Sequence, residues 1–400
     1  MTTRTIMWFR RDLRLGDHPA LLAAGADGAE VVPVFVVDPT FAASGSPRLA
    51  FLHDCLSALD ASIRETTGVD LVIRNGDPTA VIPALAEEVG AGSVVVSRDY
   101  SPYGRERDAA VKDALAGGGR RLRGVGSPYA VDPGTVRKGD GDPYSVFTPF
   151  SKVWRRTGWE QPFDEPGGDV RWVGASASGI DSEPLPPRPD PGCAVPEAGE
   201  RAALGRWTEF RDERLAAYDG QRDTPSITGT SQLSPDLKWG TVHPRTLLAD
   251  LDASGDGPRG HTVFSSELAW RDFYADVLFQ KPHTAWENLN TKYDDIELAL
   301  HGEMKPVESA SRALDGEALL FGLFGDGAND IIGLVVFYFD NRNIKSGQQF
   351  FDIGNGQSDI LRLLFPVGLV LFVHVMAKGR PRQVKAYRNM SRLLFLQHIP

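Results

Sequence analysis

Four short runs rich in β-branched residues, Thr5–Phe9, Val31–Val37, Leu71–Ile73 and Ser93–Val96, alternate with helix-spaced segments such as Leu49–Ile63 and Ala80–Val89. Strands separated by helices have to pair in parallel, and near-continuous apolar runs belong to strands covered on both faces. The alternation therefore predicts an α/β fold opening with a doubly wound parallel sheet domain over residues 1–125. Residues 126–200 change character: GDGDP and SEPLPPRPDPG predict a long surface connection, which the aromatics of YSVFTPFSKVW pin to a domain. Helical spacing resumes at Leu204, Trp207, Phe210, Leu215 and Tyr218 and continues through Pro244–Leu251 and Ser266–Leu278. A second, all-helical domain is expected over 201–400. Its last hundred residues diverge in composition, holding nine of the 20 Phe and none of the eight Trp.

A chain 42% hydrophobic and 24% charged is an ordinary soluble globular protein. Its net charge of -10 opposes general attraction to a polyanion, so nucleic-acid binding would need a local basic patch. One such run closes the chain, with Lys378, Arg380, Arg382, Lys385, Arg388 and Arg392 and no acid after Asp359. Its simpler reading is a solvated terminus. Cys55 and Cys193 form no CxxC and the histidines no HExxH, so neither a disulfide framework nor a metal site is expected, and the reading is cytoplasmic. The longest apolar run, Leu363–Ala377, is interrupted by Pro366 and Gly368 and is shorter than a membrane span of roughly 18 or more residues. No membrane partner is expected, and a monomer is.

Two segments are built for chemistry. TSQLSPDLKWG sets the hydroxyls of Thr230, Ser231 and Ser234 beside loop amides ahead of a helical start, an arrangement that suits a phosphate and also suits plain helix capping. SSELAWRDFY sets Glu267, Trp270, Arg271 and Tyr274 at i, i+3, i+4 and i+7, on one helix face. An aromatic stripe is more often core than site, yet a carboxylate and a guanidinium flanking it suit a pocket in which an indole stacks on a flipped base.

These two segments, with YDGQRD at Tyr218–Asp223 and the opening IMWFRRDLRLGDHPAL, resemble the DNA photolyase and cryptochrome family over about residues 5–290. The resemblance implies that the helical domain is FAD-binding-like. It assigns the flavin contacts to Tyr218, Thr230, Ser231, Gln232, Leu233 and Ser234. It assigns Glu267 and Trp270 the catalytic positions against a pyrimidine dimer, and Arg222, Glu267, Trp270, Arg271 and Tyr274 the contacts to damaged DNA. The first domain has no GxGxxG and no GxxxxGK[ST] to explain its sheet. In the family that sheet holds a light-harvesting antenna, and RDYSPYGRERD, with Tyr103 and Gly104 where a folate-binding form carries Asn-Glu, looks more like deazaflavin-binding members. Asp99 is the antenna contact on that reading, and a mere strand-to-helix loop is the other. Beyond about residue 290 the family pattern fades to DNRN at Asp340–Asn343, and no Trp follows Trp286 to conduct electrons.

The implied activity is that of a deoxyribodipyrimidine photo-lyase, in which reduced FAD drives light-dependent electron transfer to split dimers. The alternative is a cryptochrome-like photoreceptor or a repair-inactive homologue. An unrelated adenine-nucleotide α/β protein would leave both segments unexplained.

Overall fold

The computed structural model describes residues 4–42, 44–164, 170–175, 179–255 and 257–293, and the backbone of 318–326, 331–339, 360–364 and 369–377. The chain divides into two compact units, the first taking in residues 1–220 and 230–285 and the second 221–229 and 286–399.

In the first unit, strands β1 (Arg4–Phe9), β2 (Glu30–Val37), β3 (Val72–Asn75), β4 (Ala91–Val96) and β5 (Arg121–Gly124) form a parallel sheet in the order β3-β2-β1-β4-β5. Successive side chains point to opposite faces of a strand, so β1 and β2 feed two cores. Met7, Phe9, Val31 and Phe35 pack with Leu21 of α1 (Pro19–Gly25) and with Phe51, Leu56 and Ile63 of α2 (Ser46–Thr67). Ile6, Trp8, Val32 and Val34 pack with Ile82 and Leu85 of α3 (Pro78–Glu88) and with Val111 and Leu115 of α4 (Pro102–Gly117). The chain works outward from β1 to β3 and then crosses to β4. The loops leaving β1 and β4 therefore diverge, which opens a crevice at the carboxyl edge of the sheet where ligands of doubly wound folds bind.

The connection over 126–200 holds more structure than a surface loop. Helix α5 (Phe147–Thr157) buries Phe150 and Trp154, and the two-residue strand β6 (Arg171–Trp172) pairs with β2 at Glu30 and Val31. Helices α6 (Glu200–Glu213), α7 (Tyr218–Gln221), α8 (Ser234–Trp239), α9 (Pro244–Ala253) and α10 (Arg259–Gln280) follow. Trp154, Trp207, Phe210, Leu247 and Ala269 share their core and are at most 1% exposed.

Hydrogen bonds from the Leu13 main chain and the Arg14 guanidinium tie the helices to the loop after β1. Leu13 N donates to Trp239 O at 3.1 Å and Arg14 to Gly240 O at 3.0 Å. Gly240 has φ +69°, and a Cβ there would lie 2.0 Å from Arg11 O, so only glycine closes this joint. Asp17 completes it, accepting from Arg245 Nε at 3.0 Å, Arg245 Nη2 at 2.7 Å, Thr246 Oγ1 at 2.9 Å and Phe163 N at 2.9 Å.

Within 301–400, where a helical domain was expected, the described residues are strands. Strands β7 (Ala318–Asp326), β8 (Ile331–Phe339), β9 (Ile360–Leu364) and β10 (Leu369–Ala377) form an antiparallel sheet ordered β7-β8-β10-β9. β10 runs against β8 from Leu369 opposite Phe339 to Ala377 opposite Ile331. The physical reason lies in strings such as IIGLVVFYF and LVLFVHVMA, whose β-branched and aromatic side chains favour a pleated surface over a helix. Asp340–Asn343 and the basic run from Lys378 lie outside the described residues.

Candidate functional site

The crevice between β1 and β4 collects charge. Asp99, in the loop after β4, accepts from the backbone N–H of Ser101 at 3.0 Å and from its hydroxyl at 2.9 Å, and Arg107 Nη2 lies 3.4 Å away. Burial opposes ionisation of Asp99, but Arg11, Arg10 and Arg107 hold its carboxyl down to about 2. Arg11 enters from the loop after β1, lies against Tyr129 and Asp99, and donates through Nε to Lys238 O at 3.3 Å. The Lys238 ammonium is brought down to about 7 by burial and by the neighbouring cation Arg11, against the attraction of Asp99. Asp108 also pairs with Arg10 and with Arg107 at 2.8 Å, and buried Asp12 accepts from Arg10 N at 2.6 Å, so the crevice is a network of both signs in which Arg11 and Lys238 supply the cations left to face an anion. Next to it, a cavity of about 370 Å³ opens at the ends of β2 and β3, lined among others by Asp38, Asp77, Tyr103 and Arg107. Two of its acids are engaged locally, Asp38 by Thr40 N and the Tyr103 hydroxyl and Asp77 by Thr79 N.

A second locus lies in the helices. The Thr230–Ser234 loop exposes Thr230, Gln232 and Ser234 and buries Leu233. Gln232 adopts φ 56°, a left-handed turn that bends the loop outward, and Leu233 N–H donates to Ser231 Oγ at 3.4 Å. Two open hydroxyls on a tight loop fit the diphosphate end of a dinucleotide. Tyr218 is 8% exposed and packs its ring against the edges of Phe210 and Phe264, at 5.5 and 5.6 Å.

On α10, Glu267, Trp270 and Tyr274 are half-buried. Trp270 and Tyr274 stack at 5.3 Å with an interplanar angle of 25°. Phe147, from the start of α5, lies parallel to the Trp270 indole at 3.7 Å and 7°, covering one of its faces. Neighbouring residues of a helix are turned by about 100°, and Arg271 accordingly leaves the stripe that Trp270 begins. It reaches inward, donating to Pro128 O at 2.7 Å and Leu237 O at 3.0 Å, with its guanidinium 4.8 Å from the Tyr129 ring centre. Arg271 therefore ties α10 to α8, the helix that the hydroxyl loop opens. Arg222 falls in the second unit, its Nε 3.6 Å from Asp223.

The structure sets Asp99, expected from the resemblance, beside Arg11 and Lys238, and Trp270 of the α10 stripe against Phe147; Arg11, Lys238 and Phe147 were not among the residues expected from the sequence. Arg11 and Lys238 are 227 positions apart. The crowding of Arg10, Arg11 and Arg14 after β1 was the available signal, and only the topology shows what it faces.

The family model described as DNA photolyase matches residues 5–167. The chain is 37% identical over 314 residues to the deoxyribodipyrimidine photo-lyase of Halobacterium salinarum, covering 73% of this chain and 65% of that protein. It is 35% identical over 303 residues to that of a Synechococcus species, covering 71% and 62%. It thus spans less than two thirds of the length of these curated relatives. Among solved structures, the bacterial class III photolyase of Agrobacterium tumefaciens superposes with a TM-score of 0.67 at 30% identity, covering 78% of this chain and 65% of that one. The parallel sheet followed by helices is the arrangement these likenesses share.

Proposed function

The chain belongs to the DNA photolyase and cryptochrome family, and from that premise we propose that it is a deoxyribodipyrimidine photo-lyase-like flavoprotein acting on pyrimidine dimers in DNA. The observation that supports this reading is the bond from Arg271 to Leu237 O at 3.0 Å, which links the helix carrying Glu267, Trp270 and Tyr274 to the helix that the hydroxyl loop opens. Thr230 and Ser234 would hold the FAD diphosphate, and Tyr218 would contact the same cofactor. When bound, reduced FAD supplies the light-released electron that splits the dimer. The protein's part is to orient: Glu267 accepts a hydrogen bond from the flipped base, and the indole gives that base a surface to stack on. An anionic antenna, a deazaflavin in preference to a folate, would take the Arg11–Asp99–Lys238 crevice.

The second reading, a chromophore-binding homologue that does not repair, is favoured by Phe147, which occupies one face of the Trp270 indole at 3.7 Å. Two measurements divide these readings. An absorption spectrum of the purified protein showing FAD supports both, and its absence refutes both. Light-dependent loss of dimers from an oligonucleotide by chemically reduced protein supports the first; a flavin-loaded protein that leaves every dimer intact supports the second.

A further inference from the structure

Lys238, in the last turn of α8, stands among charges of its own sign. Arg11, from the loop after β1, donates to the carbonyl of Lys238 itself at 3.3 Å, and Arg271, from α10, donates to the neighbouring carbonyl of Leu237 at 3.0 Å. Arg48, exposed in the first turn of α2, adds a third positive charge that acts on the ammonium. Asp99 is the carboxylate that opposes them, but it is already engaged by Ser101 and Arg107. Among the described residues, the Lys238 ammonium makes no ion pair and no side-chain hydrogen bond. Burial first, then Arg11, Arg48 and Arg271 against Asp99, bring it down to about 7. Near pH 8 it therefore holds on the order of 100-fold more free amine than an ordinary exposed lysine. The same guanidinium groups attract negative charge. Surroundings that expel a proton from an amine and draw an anion to the same atom suit a reaction that turns the one into the other.

We propose that Lys238 is a carbamylation site whose ligand is carbon dioxide. The neutral Nζ attacks the carbon of CO2, an N–C bond forms, and the electron pair of one C–O π bond stays on oxygen. The nitrogen then gives up a proton to water. Amine and CO2 thus become a carbamate and a released proton, with no oxidant or reductant involved. A carbamate presents two oxygens in a plane, the shape a guanidinium fork engages, and Arg11 and Arg271 are already fixed at this turn by their bonds to its carbonyls. An aldehyde would give a neutral imine, which gains nothing from three guanidinium groups. Lys238 is half-buried, so a small neutral gas reaches it from solvent without the fold opening. The modification replaces the ammonium by an anion, and CO2 would then compete with an anionic chromophore for the crevice. That consequence rests on the proposed function; the modification itself does not.

The test equilibrates the full chain, as purified, with isotopically labelled bicarbonate near pH 8. Carbonyl nuclear magnetic resonance should show a carbamate signal that Lys238→Met lacks. Triethyloxonium ion then traps the carbamate as its ethyl ester, and peptide mass spectrometry should find the ester at Lys238 at least about tenfold above the exposed Lys112 and Lys152. Arg48→Gln removes an exposed cation that makes no ion pair among the described residues, and it should lower occupancy of Lys238 about threefold; Arg11→Gln should lower it further. Trapping at Lys238 no higher than at Lys112 and Lys152 would overturn the proposal, as would equal occupancy in the parent, Arg48→Gln and Arg11→Gln. The comparison of lysines within the parent chain decides the matter if a variant does not fold. A trapped carbamate in protein without FAD sinks the proposed function alone, and a flavin-loaded protein with unmodified Lys238 sinks this proposal alone.

Discussion

Gly104→Ala is the sharpest probe of the crevice around Asp99, because two effects of known sign oppose each other there. Gly104 lies in the first turn of α4, where alanine in place of glycine gains about 1 kcal/mol of helix propensity. Against this, the new Cβ would sit 2.2 to 2.6 Å from Asp99 Cγ, Oδ2 and Oδ1. Asp99 is short and hemmed in, so its carboxylate has to turn away from Ser101 and Arg107. Losing the two hydrogen bonds from Ser101 to this charged group costs about 3–6 kcal/mol, leaving aside the longer one from Arg107, which leaves a net loss of about 2–5 kcal/mol. In an Asp99→Ala background the obstacle is gone, and the same substitution should be neutral or stabilising by up to about 1 kcal/mol. The assay is a double-mutant cycle by urea unfolding followed by circular dichroism. Equal cost of Gly104→Ala in both backgrounds, or no cost beside intact Asp99, would refute the argument.

Replacing Thr230 and Ser234 together by Ala should lower FAD retention through gel filtration, since hydrogen bonds to a charged group contribute about 1.5–3 kcal/mol each; unchanged flavin occupancy counts against the loop. Asp17→Ala leaves Arg245 buried without its partner and should cost about 3–5 kcal/mol of stability, read as a lowered urea midpoint, whereas Asp17→Ala with Arg245→Met should recover most of it. Lys238 releases its proton near 7 in the folded chain against 10.5 when unfolded. Between those values the unfolded chain binds the extra proton, so this group adds stability as pH rises through the window, and Lys238→Met should flatten that slope. Binding of an anionic chromophore should weaken over the same rise as the ammonium is lost; identical pH profiles for parent and Lys238→Met would exclude Lys238 from the site.

The strands and helices of the first unit were legible because each pays no regard to distant sequence: the apolar run of Val31–Val37 and the helical spacing of Ser266–Leu278 identify themselves. The α10 stripe was legible for the same reason. What the pattern did not carry is direction within a face. Arg271 belongs to the stripe by spacing, yet it turns toward the Pro128 and Leu237 carbonyls, which lie 143 and 34 positions away. Nor does spacing announce that Phe147 will arrive from another helix. Within 301–400 the nine-residue apolar runs satisfy strand and helix spacing alike, and the β-branched residues of β8 and β10 favour the strands that the described residues form.

The parallel contact between Phe147 and Trp270 also sets terms for any planar guest of that indole. A base arriving on the covered side competes with a ring that is tethered and always present. Each 1.4 kcal/mol by which the occupied arrangement is preferred lowers apparent affinity about tenfold, because only the vacated fraction can bind. On the proposed function, a weakly stacked intact base would then be turned away, while a guest that also satisfies Glu267 would displace the phenyl ring. Discrimination would thus begin with a rival inside the protein, before any contact distinguishes one base from another.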